Sequence, residues 1–83
     1  MGHGTIQPLS TIPPGRAVTL RRIDSGHGLE SRLAAMGLLP GASVYVYRND
    51  AGGPIVLGVH GGRVVLGRGM TERVLVEEDA EAT

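Results

Sequence analysis

Leu29-Glu-Ser-Arg-Leu-Ala-Ala-Met-Gly-Leu-Leu-Pro-Gly41 is the only stretch of this chain with a helical pattern. Leu29, Leu33 and Met36 recur at i, i+4 and i+7, which places them on one face of a 3.6-residue helix. Ala34 and Ala35 favour helix, and Glu30 and Arg32 suit its solvated side. Gly37 can adopt the left-handed conformation that ends a helix, and Pro40 forbids resumption. Pro40-Gly41 reads as a type II turn, since proline sets φ at its second position and glycine accepts positive φ at its third. Leu38 and Leu39 fall between helix end and turn, outside the helical period. At least one of these adjacent leucines is expected to stay partly exposed.

Outward from this segment, the chain reads as strands and tight turns. Upstream, Leu9 and Ile12 are the first firm apolar anchors, and Pro14-Gly15 makes an earlier turn. Residues 16–23 alternate, with Val18 and Leu20 on one face and Ala17, Thr19 and Arg21 on the other, as a half-buried strand does. Residues 24–28 form a loop into the helix. Downstream, residues 43–48 alternate again, Val44 and Val46 against Tyr45 and Tyr47. Residues 49–54 are a loop. Residues 55–60 form a strand with Ile55, Leu57 and Val59 on one face. Gly61-Gly62 reads as a primed two-residue hairpin turn into residues 63–66. Met70-Thr-Glu-Arg73 has the length of one helical turn, and Val74 to Val76 close the chain as a last strand. Pro14-Gly-Arg-Ala-Val-Thr-Leu-Arg-Arg and Pro40-Gly-Ala-Ser-Val-Tyr-Val-Tyr-Arg echo one another. Turn-then-strand grammar is enough to produce that echo.

The expected fold class is therefore mainly β: a small, strongly bent barrel of about five strands with one short α-helix after the first strand. Fourteen glycines suit tight curvature, which requires bulges and positions without a Cβ. The 83 residues make a single domain with its core over about 8–77, an N-terminal arm and an acidic C-terminal tail. With only Tyr45 and Tyr47 as aromatics, the core must be aliphatic. No apolar run reaches the ~20 residues of a membrane span, and no signal segment opens the chain, so a cytoplasmic protein is expected. Residues 1–76 carry eight arginines against Asp24, Glu30, Asp50 and Glu72, a net of +4, while Glu77, Glu78, Asp79 and Glu81 read as a solvated tail.

The sequence order also carries a family likeness. Leu9…Ile12-x-x-Gly15-x-x-Val18-x-x-x-x-Ile23 is followed by Arg32-Leu-x-x-Met-Gly-Leu-x-Pro-Gly41-x-x-Val44-x-Val46. Then come Gly53-Pro-Ile-Val56-x-x-Val59-x-Gly61, Val65-Leu-Gly-Arg68 and Val74-x-Val76. Over roughly residues 8–77 this resembles the FeoA family of small ferrous iron transport components. The resemblance implies an SH3-like barrel, shared with the C-terminal domain of iron-dependent repressors. It also implies work in the cytoplasm with the FeoB membrane GTPase that moves ferrous iron. The chain departs from the family at Gly67-Arg-Gly-Met-Thr71, where members often carry Arg-x-x-x-Ala.

Little here supports catalysis. There is no Cys, no Lys and no P-loop, and no motif places a histidine beside Ser10, Ser25, Ser31 or Ser43. His3, His27 and His60 each adjoin glycine with no HxH or HxxxH spacing, so no metal centre is expected. Any Fe(II), or adventitious Zn(II), would bind through these histidines. Nucleic-acid binding is the alternative raised by Tyr45, Tyr47 and Arg48 on one strand, but two aromatics and a small positive charge make a poor stacking platform. A groove for proline-rich ligands lacks its aromatic walls. What remains is a binding protein, with Arg32, Met36, Leu38, Leu39 and Arg48 as the expected partner-binding residues. A second copy is a possible partner as well. A repressor-like regulatory barrel is the alternative reading, disfavoured because no DNA-binding helix-turn-helix stands ahead of it in this sequence.

Overall fold

The computed structural model describes residues 5–24, 27–50 and 52–79, and the backbone alone of His27. Among these residues six strands form one antiparallel sheet: β1 (Ile6–Pro8), β2 (Ala17–Ile23), β3 (Ser43–Asn49), β4 (Ile55–Val59), β5 (Gly62–Leu66) and β6 (Val74–Glu78). Their order is β1-β6-β2-β3-β4-β5. Helix α1 (His27–Ala34) links β2 to β3, and a single-turn helix α2 (Arg68–Thr71) links β5 to β6. A 3₁₀ turn, Leu9–Thr11, follows β1.

The strand count exceeds the sequence expectation by one. β1 is three residues long, ends in proline and shows no apolar alternation; only its pairing with β6 makes it a strand. At the other end, Glu77 and Glu78 belong to β6 and are not a frayed tail. Arg16 Nη1 meets Glu78 Oε1 at 2.9 Å, Arg21 Nε donates to Glu77 Oε1 at 2.7 Å, and Thr19 Oγ1 donates to Asp79 Oδ1 at 2.7 Å. Acids that read as a solvated run are thus lined up against basic and hydroxyl groups of β2 by strand pairing.

The core is aliphatic. Leu9, Ile12, Val18, Leu20, Leu33, Leu38, Val44, Val46, Ile55, Leu57, Val74 and Val76 are all fully buried or within one per cent of it. Leu29 and Met36 pack against its edge. The expected inward sets of β2, β3 and β4 all point inward.

Two β-bulges bend the sheet. Register shifts between Leu20 and Arg22 on β2 and between Val46 and Arg48 on β3. An extra residue in one strand turns two successive side chains outward, so Arg21 and Arg22 both face solvent and Ile23 returns to the core. On β3, Tyr47 and Arg48 both face out and Asn49 turns inward.

These bulges occupy equivalent places in the two echoed segments, and the segments pair with one another, Val18 opposite Val44. Gly15 N–H donates to Val46 O and Gly41 N–H to Leu20 O, both at 2.7 Å. Val46 N–H donates to Arg16 O and Leu20 N–H to Ala42 O, at 3.0 and 2.9 Å. Both glycines have positive φ, +88° and +93°. The echo is therefore a local twofold arrangement, each proline–glycine turn gripping the far end of the other's strand. It diverges where Ile23 corresponds to Asn49.

Asn49 Nδ2 donates to Ser10 O and Ile12 O at 3.0 and 2.7 Å, and its Oδ1 accepts from Arg68 Nη2 at 2.8 Å. Arg68 also reaches Asp50 O, at 2.6 Å. This network ties the 3₁₀ turn, the β3–β4 loop and α2 together, and it explains how Gly67-Arg-Gly-Met-Thr71 packs. Thr71, buried, donates to Arg68 O at 2.9 Å.

The hairpin turn between β4 and β5 is displaced by one residue from expectation. Val59 pairs with Gly62, so His60 and Gly61 are its two central residues, with φ of 52° and 80°. A type I′ turn requires positive φ at both positions, and Gly61-Gly62 would satisfy that more cheaply. The two registers differ by two residues, so alternation keeps the same side chains inward in both and cannot choose between them. His60 in the turn lays its ring against Gly37: a Cβ on Gly37 would stand 2.7 Å from His60 Cδ2.

Candidate functional site

The end of α1 is a Schellman motif. Leu38 N–H donates to Leu33 O and Gly37 N–H to Ala34 O, both at 2.9 Å, with Gly37 at φ +87°. In this motif the residue after the left-handed glycine folds back onto the helix's last turn but one, and the two side chains commonly touch. Leu38 and Leu33 are both 0 % exposed. Leu38 is consequently a core residue, and of the two adjacent leucines it is the buried one.

Leu39 is different. It opens the next turn, in which Ala42 N–H donates to Leu39 O at 2.9 Å across Pro40-Gly41. Gly41 has the positive φ of a type II turn, and the turn is held to β2 by the Gly41–Leu20 and Leu20–Ala42 bonds. The Leu39 side chain is 50 % exposed on this rigid support.

Beside it lies a surface groove of about 330 Å³, lined by Arg22, Ile23, Glu30, Ser31, Ala34, Leu38, Leu39 and Pro40. That volume sits near the lower bound of small-molecule sites, about 300 Å³, and matches one or two inserted side chains. The walls are α1 on one side and the end of β2 on the other, with the Leu39–Pro40 turn between. Among the described residues neither Arg22 nor Glu30 has an ion-pair partner, so the groove carries one free charge of each sign.

Of the five residues expected to meet a partner, Leu38 and Leu39 border the groove. Arg32 is exposed on α1, two positions from Glu30 and so turned to another face. Met36 is half-buried at the helix end. Arg48 is on the outer face of β3, 3.2 Å from Asp50 Oδ2. Arg22, Glu30 and Ser31 escaped sequence reading. Glu30 and Ala34 are four apart, a spacing that sets them on one helical face, but Arg22 reaches the groove only because of the β2 bulge.

Tyr45 and Tyr47 are exposed on the outer sheet face, edge to face with ring centroids 4.9 Å apart. The Arg63 guanidinium carbon stands 4.5 Å from the Tyr47 ring centroid, and a Cβ on Gly58 would come within 2.7 Å of the same ring. Tyr47 thus packs against Tyr45, Gly58 and Arg63 of its own sheet. Among the described residues no three His, Asp or Glu side chains converge as a metal site would require. His3 lies outside the described residues, as does the side chain of His27. Among the described residues no helix is long and apolar enough to cross a membrane.

Comparison with known proteins agrees with this architecture. A crystal structure of an iron uptake regulatory protein (FeoA) superposes with a TM-score of 0.86 at 36 % identity, covering 90 % of this chain and 100 % of that one. Iron(II) transport protein A from Clostridium thermocellum gives 0.80 at 25 %, covering 87 % of this chain and 45 % of that one. A manganese-dependent transcriptional repressor gives 0.82 at 18 %, with 95 % and 45 % covered; at that identity the likeness shows a shared fold alone. In sequence, the putative Fe(2+) transport protein A of Methanocaldococcus jannaschii is 36 % identical over 74 residues, 89 % of this chain and 88 % of the relative. Residues 7–78 match the FeoA domain, and this SH3-like barrel belongs to the FeoA family of ferrous iron transport accessory proteins.

Proposed function

We propose that this protein is a non-enzymatic, cytoplasmic accessory of ferrous iron uptake that docks on the cytosolic GTPase domain of a FeoB-like membrane transporter. The observation that carries the docking surface is Leu39: a large apolar side chain, half exposed, on a turn whose backbone is bonded to the barrel. A rigid apolar anchor beside a small groove suits insertion against a partner, because little ordering entropy is lost on binding. Arg22 and Glu30 give the groove a polar rim that fixes orientation. Met36 packs against the core at the helix end, and Arg32 and Arg48 lie outside the groove, where charged contacts tune association rate more than affinity.

Capture of the purified protein by an immobilised GTPase domain of a FeoB-like transporter tests this reading. Leu39→Glu is expected to weaken capture at least ~30-fold, the loss of about 2 kcal/mol that a hot-spot residue contributes. Its far-UV circular dichroism should remain that of the parent, since the side chain is not in the core. Undiminished capture by a folded Leu39→Glu protein would falsify the assignment.

A further inference from the structure

The two edges of the sheet are treated differently. β1 is blunted: it has three residues, ends in Pro8, which lacks an N–H, and runs straight into the 3₁₀ turn. β5 has none of these devices. It holds five residues without proline, and Val65 is 61 % exposed, the most of any large apolar residue described. Its one charged side chain, Arg63, is drawn aside onto Tyr47 and leaves the backbone edge uncovered.

The hairpin geometry says which backbone groups that edge presents. A two-residue turn makes Val59 and Gly62 a pair that exchanges both hydrogen bonds, and antiparallel pairs alternate. With the observed register, Leu57–Val64 and Ile55–Leu66 are bonded pairs, while Gly58–Arg63 and Val56–Val65 are not. The N–H and C=O of Arg63 and Val65 therefore point away from β4, and among the described residues nothing bonds to them.

We propose that this edge is a self-association surface, on which a second copy of the chain adds its own β5 antiparallel about a twofold axis at Val64. In that register Arg63 exchanges both backbone bonds with the partner's Val65, and the reverse, so all four outward groups of each copy are satisfied. Neighbouring registers are poorer. Centring on Arg63 sets two guanidinium groups opposite each other. Centring on Val65 requires the Gly67 carbonyl, which already accepts from Met70 N–H at 3.1 Å and Thr71 N–H at 3.2 Å. The Val64 register also lays each exposed Val65 beside the aliphatic stem of the opposing Arg63. This proposal is independent of the docking reading, because it uses a different strand and a different partner.

Sedimentation equilibrium over a micromolar-to-millimolar series is the test. The parent is expected to rise from its 8.6 kDa monomer mass towards twice that value. Val65→Pro removes an outward N–H without touching the β4 ladder, and proline is tolerated on an edge strand, so this variant should stay monomeric with unchanged circular dichroism. A second variant reads the register. The chain has no cysteine, and unbonded antiparallel pairs bring Cα atoms to about 4.5 Å, within disulfide reach. Val64→Cys should therefore form a disulfide dimer on mild oxidation, far faster than exposed Ser43→Cys. A parent that is monomeric at millimolar concentration overturns the proposal. So does dimerisation of Val65→Pro at parental strength, or cross-linking of Val64→Cys no faster than of Ser43→Cys.

Discussion

Two neighbouring leucines offer the sharpest check on how this fold is held together. Leu38 is 0 % exposed and Leu39 is 50 % exposed, although they are identical in chemistry and adjacent in the chain. Leu38→Ala removes a buried methine and two methyl groups from a site walled by backbone bonds. The Schellman pair, Leu38 N–H to Leu33 O and Gly37 N–H to Ala34 O, limits collapse around the void. Leucine-to-alanine changes in such sites cost about 2–5 kcal/mol. We take about 3 kcal/mol as the expected loss. The whole domain has only about 4–12 kcal/mol to lose, at roughly 0.05–0.15 kcal/mol per residue. Leu39→Ala, on the turn, should change stability by no more than about 0.5 kcal/mol. Urea unfolding followed by far-UV circular dichroism separates the two. With a slope of about 1 kcal/mol per molar urea for a small domain, Leu38→Ala should lower the midpoint by ~3 M while Leu39→Ala leaves it nearly unmoved. Equal midpoints for the two variants would refute the placement of Leu38 in the core and with it the Schellman reading of the helix end.

Two further stability effects follow from contacts between distant segments. Gly37→Ala is expected to lose ~1–2 kcal/mol for its left-handed backbone and additional stability from overlap with the His60 ring, which stands 2.7 Å from the new Cβ. His60→Gly should recover the second loss and not the first, so a thermal-unfolding double-mutant cycle of the two should show coupling of about 0.5 kcal/mol or more; strict additivity would disprove the contact. Arg68→Ala should cost about 2 kcal/mol through lost charge-assisted bonds to Asn49 Oδ1 and Asp50 O. Combined with Asn49→Ala it should cost less than the sum in denaturant unfolding, because the Arg68–Asn49 bond is removed only once.

Sequence alone decided a good deal of this molecule. Alternation placed Val18, Leu20, Val44, Val46, Ile55, Leu57 and Val59 on inner faces, because a strand's side chains have period two and one face must be dry. Gly37 and Pro40-Gly41 marked the helix end and the turn after it, because their backbone conformations are available to few other residues. The scarcity of aromatics dictated an aliphatic core. Once Gly37 is recognised as the left-handed cap, burial of Leu38 also follows from local geometry, and Leu39 is left as the outward one of the pair. That step was legible in the sequence.

Other features depended on partners distant in the chain. β1 exists only because β6 lies beside it, and Glu77 and Glu78 face Arg21 and Arg16 because β6 pairs with β2. Arg22 enters the candidate groove through a bulge, and a bulge arises from the mismatch of two paired strands, which neither strand encodes by itself. The last hairpin turns at His60-Gly61 and not at Gly61-Gly62, a register that alternation leaves open, and it sets the His60 ring against a glycine more than twenty residues earlier. Local conformation and side-chain period belong to the sequence, because each is settled within a few residues by sterics and solvent. Register, bulge and groove belong to the tertiary structure, because each is settled by which strands meet.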